Sequence, residues 1–395
     1  MRRHGRTTAI DATGWSNGRG EGRFLRGLLG EMLGRPGRSI GATSIIAERH
    51  AAAEIRDRFP SVPVLGLPDG CEPGTGLAAG ATRTPGQLLA LSRAVGITEA
   101  SALLQPSVVG WFPTPGVPQA VVVHDVKPPT GDLFYGGRVA GCAGAVKQAL
   151  ALRSAAALLP VSGTACRQLG EAGHAATVAP LGAAIDPAFR PRREAEVSAA
   201  RDAVGLDAGR RYLLLASGLN RHKDARLPIE ALPLLDRRGG PAAGLDLVLV
   251  GEPKGYGGSA EGIIAAARRR DLGNRLLTPG YISDARLAAL YSGAEAAITT
   301  SRFEGLGMSP LEARGCGCRI VASDIPAHRE TSGDVAVFFR PGDPAALADA
   351  VAEALDRPPI PPAANYSWRD PAAAVCGSLE SLGRGSKRWR SALRR

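Results

Sequence analysis

No run of 18 apolar residues occurs in this sequence; Lys147 and Arg153 interrupt its most hydrophobic helical stretch. A membrane-spanning helix is therefore not expected. Cysteine is sparse: Cys71, Cys142, Cys166, Cys316, Cys318 and Cys376 are scattered, and only Cys316 and Cys318 are close. A C-x-C pair with no nearby histidine or second pair makes a poor zinc site. There is no His-Glu-x-x-His motif, no nucleophile elbow and no Asp-x-Asp cluster, so neither a metal nor an activated serine is expected. Residues Met1 to Thr13 carry arginines but no apolar run of signal-peptide length, and together with unpatterned thiols this reads as a cytoplasmic protein. Aromatic residues are only 5%, the arginines are dispersed, and no nucleic-acid-binding motif occurs, so nucleic acid is not the expected partner. Lysine is rare too: 5 of the 48 cations are lysine and the rest arginine.

What is present is a folded chain. Its 395 residues suggest two or three domains, and 44% hydrophobic with 22% charged residues is ordinary for globular proteins. The balance of 48 basic against 37 acidic residues gives a net charge of +11, which favours anionic partners such as nucleotide phosphates or acidic headgroups.

Short apolar runs alternate with helical patterns along the whole chain. In the first half strands are expected at 8–12, 40–46, 62–67, 120–125, 158–162 and 177–181, with helical stretches between several of them, for example 48–58 and 137–157, and a first long helix opening at Gly18–Gly22. After a charged segment at 192–207 the pattern restarts, with strands at 212–217, 245–251, 275–279, 296–300, 319–323 and 335–339. Helices are expected there at 225–235, 260–270, 284–293, 310–315 and 344–355. Alternating β and α elements with continuously apolar strands imply parallel sheets covered on both faces. The expectation is an α/β protein of two doubly wound domains, residues 1–190 and 209–362, joined by a linker at 191–208, with ligands in an interdomain cleft beyond the strand ends. Residues 363–395 should form a last helix that packs back on the first domain, followed by a basic tail.

Four segments hold residues fit for chemistry. The densest is Ser301-Arg-Phe-Glu-Gly-Leu-Gly-Met-Ser-Pro-Leu-Glu312, where a strand should end, a glycine turn follow, and Pro310 take the first helical position. Such a turn aims backbone N–H groups at a phosphate or at sugar hydroxyls. Ser309-x-x-Glu312 also reads as a capping box that stabilises the helix and touches no ligand, and local pattern leaves both readings open. The second is Ala216-Ser-Gly-Leu-Asn-Arg-His-Lys-Asp224, where Arg221 and Lys223 could neutralise a diphosphate or simply be solvated. The third is Gly18-Arg-Gly-Glu-Gly22, either a flexible connection or a place where acceptor or phosphate lies against the backbone through Gly18, Gly20 and Gly22. The fourth is Val123-His124-Asp125 at a strand end, where histidine is either a hydrogen-bonder of the fold or a reacting group.

Taken together and in order, these segments resemble the retaining GT-B glycosyltransferases of family 4 (glycosyltransferases group 1), in the mannosyltransferase-like branch. Glu304-Gly-Leu-Gly-Met-Ser-Pro-Leu-Glu312-Ala is similar to the family's E-G-F-G-x-P-x-L-E-A motif, and Gly280-Tyr-Ile-Ser-Asp-Ala-Arg-Leu-Ala-Ala-Leu-Tyr291 to its G-x-V-x-D-x-x-L-x-x-L-Y. Gly315-Cys-Gly-Cys-Arg-Ile-Val-Ala-Ser323, Pro326-Ala-His-Arg-Glu330 and Pro341-Gly-Asp-Pro344 continue the likeness, which covers residues 8–382 and is weakest between 40 and 118. Leu306 stands where the family usually has phenylalanine, and Ser309 precedes a displaced Pro310.

The resemblance implies a GT-B fold and a hexosyltransferase that needs no metal or other cofactor. Catalytic roles fall to Glu304 at the transferred sugar, His124 at the reaction centre and Lys223 on the donor diphosphate. Arg221 would assist Lys223, Glu312 would bind the nucleotide ribose, and Leu306, Gly307, Met308 and Ser309 would offer backbone groups to sugar or phosphate. Glu330 would line the base or ribose pocket. The implied donor is GDP-mannose or a UDP-sugar, and the implied acceptor a glycan or lipid-linked saccharide of polysaccharide or cell-envelope synthesis. The alternative is a non-catalytic nucleotide-sugar-binding relative that supports a partner transferase. The basic stretch Arg384–Arg395, with Trp389 and Leu393 on one helical face, would suit a peripheral contact with anionic headgroups on the inner membrane face, or be a solvated end.

Overall fold

The computed structural model describes residues 7–18, 20–34, 41–67, 83–128, 134, 138–182, 184–252, 254–255, 258–363 and 367–392. The chain divides into two compact units, one made of residues 1–129, 142–184 and 367–395, the other of residues 130–141 and 185–366.

The first unit opens with β1 (Thr7–Asp11), α1 (Gly20–Leu33), β2 (Ala42–Glu48), α2 (Arg49–Arg58) and β3 (Val64–Leu67). It continues with α3 (Pro85–Ile97), β4 (Ala102–Gln105), β5 (Gln119–Val123), α4 (Arg138–Ser154), β6 (Ala157–Pro160) and α5 (Gly163–Glu171). Its six strands lie parallel in the order β3-β2-β1-β4-β5-β6. β4 and β5 are buried along their whole length, so their apolar residues run consecutively rather than alternating, with Gln105 and Gln119 buried at the strand ends.

The second unit holds α6 (Glu194–Ala203), β7 (Tyr212–Ala216), α7 (Leu227–Arg238), β8 (Asp246–Val250) and a short hairpin of β9 (Lys254–Gly255) and β10 (Gly258–Ser259). There follow α8 (Ala260–Arg268), β11 (Leu276–Gly280), α9 (Asp284–Gly293), β12 (Ala296–Thr299), α10 (Met308–Gly315), β13 (Ile320–Ser323), α11 (Pro326–Ser332), β14 (Ala336–Phe339) and α12 (Pro344–Asp356). The main sheet repeats the same parallel order, β11-β8-β7-β12-β13-β14. Its core is aliphatic, centred on Leu213, Leu215, Leu247, Leu249, Ile298 and Val321. In each sheet the strand order reverses beside the first strand of its unit, between β1 and β4 and between β7 and β12, which is where ligands bind in doubly wound sheets.

α13 (Arg369–Ala392) comes last in sequence but belongs to the first unit, where it packs against α1, β4 and β5. Trp368, just ahead of it, sits edge-on to Phe24 with centroids 5.0 Å apart. A Cβ on Gly27 would come within 2.2 Å of the Trp368 ring, so α1 carries glycine there to admit the indole.

Three expectations are corrected. Residues 177–181 form no strand: their backbone bonds back onto β6 only at Thr177 and Leu181, at the two ends of the stretch. β4 is an additional strand: Ala102–Gln105 has only three apolar residues, too short a run to show a period, while α3, which follows a full capping box of Thr84 with Gln87, and α5 are further helices between the strands. Residues 191–208, expected as a linker, carry α6, which packs on α9 and ties its start to that helix through the Arg192 amide and the Ser292 hydroxyl at 3.1 Å.

Candidate active site

In the second unit, two loops meet at the point where the strand order reverses. The loop after β7 ends in a single 3-10 turn, Arg221–Lys223, closed by Asp224 in the left-handed region at φ 47°. The loop after β12 runs from Thr300 to Gly307. They are stitched together by backbone: the Thr300 hydroxyl donates to the Lys223 carbonyl at 2.7 Å and the Arg302 amide to the His222 carbonyl at 2.7 Å. The Arg302 guanidinium holds the Asp224 carboxylate at 2.7 Å.

This stitching sets the Lys223 ammonium against the Glu304 carboxylate in a direct ion pair, with the Ser301 hydroxyl donating to the same carboxylate oxygen at 2.7 Å. Burial by itself would raise the Glu304 pKa, but the Lys223 charge outweighs it and holds the carboxyl down at about 2. Glu304 is thus an anion throughout the physiological range. His328, on α11, is buried behind it. Its Nδ1 lies 3.0 Å from the Ser323 carbonyl, which can only accept, so Nδ1 carries the proton and Nε2 accepts from the Thr299 hydroxyl at 3.3 Å. Burial lowers the His328 pKa and keeps this tautomer neutral.

α10 starts on Gly307, its N-cap, at φ 81°. A Cβ there would press within 3.0 Å of the His328 ring, so both the backbone angle and the space call for glycine. Met308 and Ser309 occupy the first two helical positions, and Pro310 falls third rather than first, still within the turn whose N–H groups have no intrahelical partner. Ser309 is no cap: its hydroxyl donates to the Ala216 carbonyl at the end of β7, at 2.8 Å, and anchors the helix start to the loop that carries Lys223. Glu312, one turn on, is fully buried in α10. The open choice at Ser309-x-x-Glu312 therefore closes against the capping box.

The structure gathers Lys223, Glu304, Leu306, Gly307, Met308 and Ser309 along these two loops, with Leu306 buried and its side chain in the fold. Arg221 and Glu330 are exposed on the same unit. His124 lies in the first unit at the end of β5, where its Nε2 lies 2.9 Å from the Pro106 carbonyl and its ring stands edge-on to Phe24. Gly18 precedes α1 and Gly20 opens it, both half-buried. At Gly22 a Cβ would collide with the Asn17 carbonyl at 1.9 Å, so the close backbone turn itself requires that glycine. Sequence reasoning passed over His222 and His328; the signal available was the place of His222 inside the loop after β7 and of His328 inside the Pro326–Glu330 segment. Among the described residues no cluster of three metal-ligating side chains occurs, and no helix is long and apolar enough to cross a membrane. Of the basic stretch Arg384–Arg395, the side chains beyond Arg384 lie outside the described residues.

Residues 197–367 match the family described as Glycosyl transferases group 1. The chain is 27% identical over 208 residues to a D-inositol 3-phosphate glycosyltransferase of Segniliparus rotundus, covering 50% of this chain and 45% of that one. It is 32% identical over 95 residues to the O-antigen chain mannosyltransferase B of Escherichia coli, covering 24% and 23% respectively. The matched stretches thus span less than half the length of these curated relatives. Among solved structures, Anabaena Alr3699/HepE in complex with UDP-glucose superposes over 98% of this chain and 100% of its own with a TM-score of 0.65 at 17% identity. That likeness establishes the two-sheet architecture as the GT-B fold.

Proposed function

We propose that this chain, whose residues 197–367 are a group 1 glycosyl transferase domain within a GT-B fold, is a retaining hexosyltransferase acting on a nucleotide diphosphate sugar. The observation that carries the reading is the Lys223–Glu304 pair at the strand-order reversal of the second unit. An ammonium has three donors and Glu304 takes one, so Lys223 can also hold the donor diphosphate and absorb the charge that grows on it as the bond to the sugar breaks. Arg221 adds charge at the same loop. The amides of Met308 and Ser309, at the positive end of α10, face the same demand. No metal is needed for this neutralisation.

A carboxylate with a pKa of about 2 is a poor proton donor and a poor base at neutral pH. Glu304 therefore acts by charge: it orients the sugar and stabilises the positive character that develops at its anomeric carbon. Glu312 binds the ribose, Glu330 borders the nucleoside, and His124 serves the acceptor side. A GDP-mannose donor is supported by the likeness to a mannosyltransferase, and a UDP-sugar by the superposed UDP-glucose complex. The product is a glycan of polysaccharide or cell-envelope synthesis, and the basic stretch Arg384–Arg395 brings the enzyme to anionic lipid.

Glu304→Gln tests the assignment. It should bind GDP or UDP within about threefold of the parent yet lose turnover by about a hundredfold or more, the scale of a lost charge-stabilising group. Turnover within about threefold, less than 1 kcal/mol of barrier, would remove Glu304 from the reaction. Nucleotide sugar bound by the parent and never hydrolysed or transferred would leave a binding protein in place of an enzyme.

A further inference from the structure

Lys223 sits in a single turn of three residues, and a turn that short has few bonds with which to hold its shape. Its own backbone bonds run from the Lys223 amide to the Asn220 carbonyl at 2.9 Å and from the Asp224 amide to the Arg221 carbonyl at 3.1 Å. Asp224 closes it at φ 47°, an angle that aspartate tolerates better than most residues, though not without strain. Arg302, from the neighbouring loop, grips the turn on both sides of Lys223. Its amide donates to the His222 carbonyl at 2.7 Å, and its guanidinium donates through Nε and Nη2 to a single Asp224 carboxylate oxygen, at 2.8 and 2.7 Å.

A third segment makes room for that grip. Gly342, between β14 and α12, has φ 76°, and a Cβ there would come within 2.8 Å of Arg302 Nη2 and 3.1 Å of Cζ. A side chain at this position would push the guanidinium off Asp224. The Arg302 side chain is 45% exposed and that of Asp224 17%, and ion pairs this open to solvent stabilise a fold little. The consequence of the pair is local instead. It fixes the chain before and after Lys223, and it neutralises a carboxylate one residue from the ammonium that pairs with Glu304. Left bare, the Asp224 carboxylate would repel a diphosphate at Lys223 and compete with Glu304 for the ammonium.

We propose that Arg302 is a positioning residue: through the His222 carbonyl and the Asp224 carboxylate it holds the Lys223 ammonium on Glu304 and keeps the Asp224 charge away from the donor diphosphate. Its effect on the donor rests on the transferase reading above; its hold on Lys223 does not. Arg302 itself touches neither Lys223 Nζ nor Glu304 in these contacts, so its influence passes through the turn. Two consequences separate. Removing the guanidinium frees both the turn and the Asp224 charge, whereas removing both side chains frees the turn alone.

The test compares full-length Arg302→Ala with the double variant Arg302→Ala/Asp224→Asn, using Arg340→Ala, which breaks an exposed ion pair to Asp343, as control. Arg302→Ala should weaken GDP and UDP binding in calorimetry by about fivefold or more, the effect of one uncompensated charge beside the phosphates. Its urea midpoint should stay near that of the control. The double variant should recover nucleotide affinity to within about twofold of the parent, yet keep the reduced turnover at saturating nucleotide sugar, because the turn is still loose. A role in packing alone predicts the opposite, a double variant that binds at least as weakly as the single one. The Lys223 ammonium is read separately by 15N NMR, as one of 5 lysines in the chain, assigned by its loss in Lys223→Arg. Its signal should shift in Arg302→Ala and stay in place in Arg340→Ala. An unchanged Lys223 signal, parent-like nucleotide binding by Arg302→Ala, or a double variant no tighter than the single one would each overturn the proposal. If the parent binds neither nucleotide while the Lys223 signal still shifts, the positioning stands and the transferase reading falls.

Discussion

The Lys223–Glu304 pair holds Glu304 as an anion in the second unit. It also ties stability to pH. Glu304 has a folded pKa of about 2 against an ordinary value of 4.5, so its stabilising contribution is fully present above pH 4.5 and is lost as pH falls toward 2. The upper bound on that contribution is about 3 kcal/mol, at 1.36 kcal/mol per unit. Lys223→Ala should therefore unfold more readily than the parent at pH 7, and the difference should vanish by about pH 2. Urea titrations of both proteins across this range check it; a constant difference would mean that Lys223 stabilises by packing alone. The same variant should weaken GDP or UDP binding. His328, held neutral by burial, contributes hydrogen bonds behind the pair and no charge near neutral pH.

At the scale of elements, two strand-to-helix turns hold the candidate site residues. α10 begins only because Gly307 accepts a left-handed angle beneath His328, and Ser309 fastens that beginning to the end of β7. Gly307→Ala adds left-handed strain of about 1 kcal/mol or more and a tight Cβ contact, and so should cost about 2 kcal/mol of stability. Because the turn carries Glu304, nucleotide-sugar turnover should fall more than stability does, measurable as kcat against urea midpoint. Unchanged turnover would show that the turn can shift without consequence. In the first unit the start of α1 obeys a different constraint: Gly22 is fixed by a backbone approach to Asn17, which explains the glycine without any ligand.

Over the whole molecule, the C-terminal residues 367–395 complete the first unit after the chain has built the second. Trp368 is the wedge of that return, 8% exposed, lying on Phe24 and over Gly27. Trp368→Ala should leave a cavity and lower the stability of the first unit by about 3 kcal/mol, as large-to-small core substitutions do. Nucleotide binding by the second unit should persist. Two-probe denaturation, circular dichroism for folding and nucleotide protection for the second unit, distinguishes this from global collapse, in which both transitions would move together.

The alternation of apolar runs and amphipathic stretches by itself determined two parallel α/β units, because a strand buried on both faces must be apolar throughout. It also marked the turn from Ser301 to Glu312, where two glycines, a proline and two carboxylates gather within twelve residues. It did not reveal β4 or α3, since four residues carry no period and capping residues alone do not announce a helix. Nor could it join Lys223 to Glu304 or Arg83 to Asp11: those partners lie 81 and 72 residues apart, and only strand order brings their loops together. Local preference decides which elements form; the folded sheet decides which ends meet, which charges lie together, and hence which carboxylate is held as an anion.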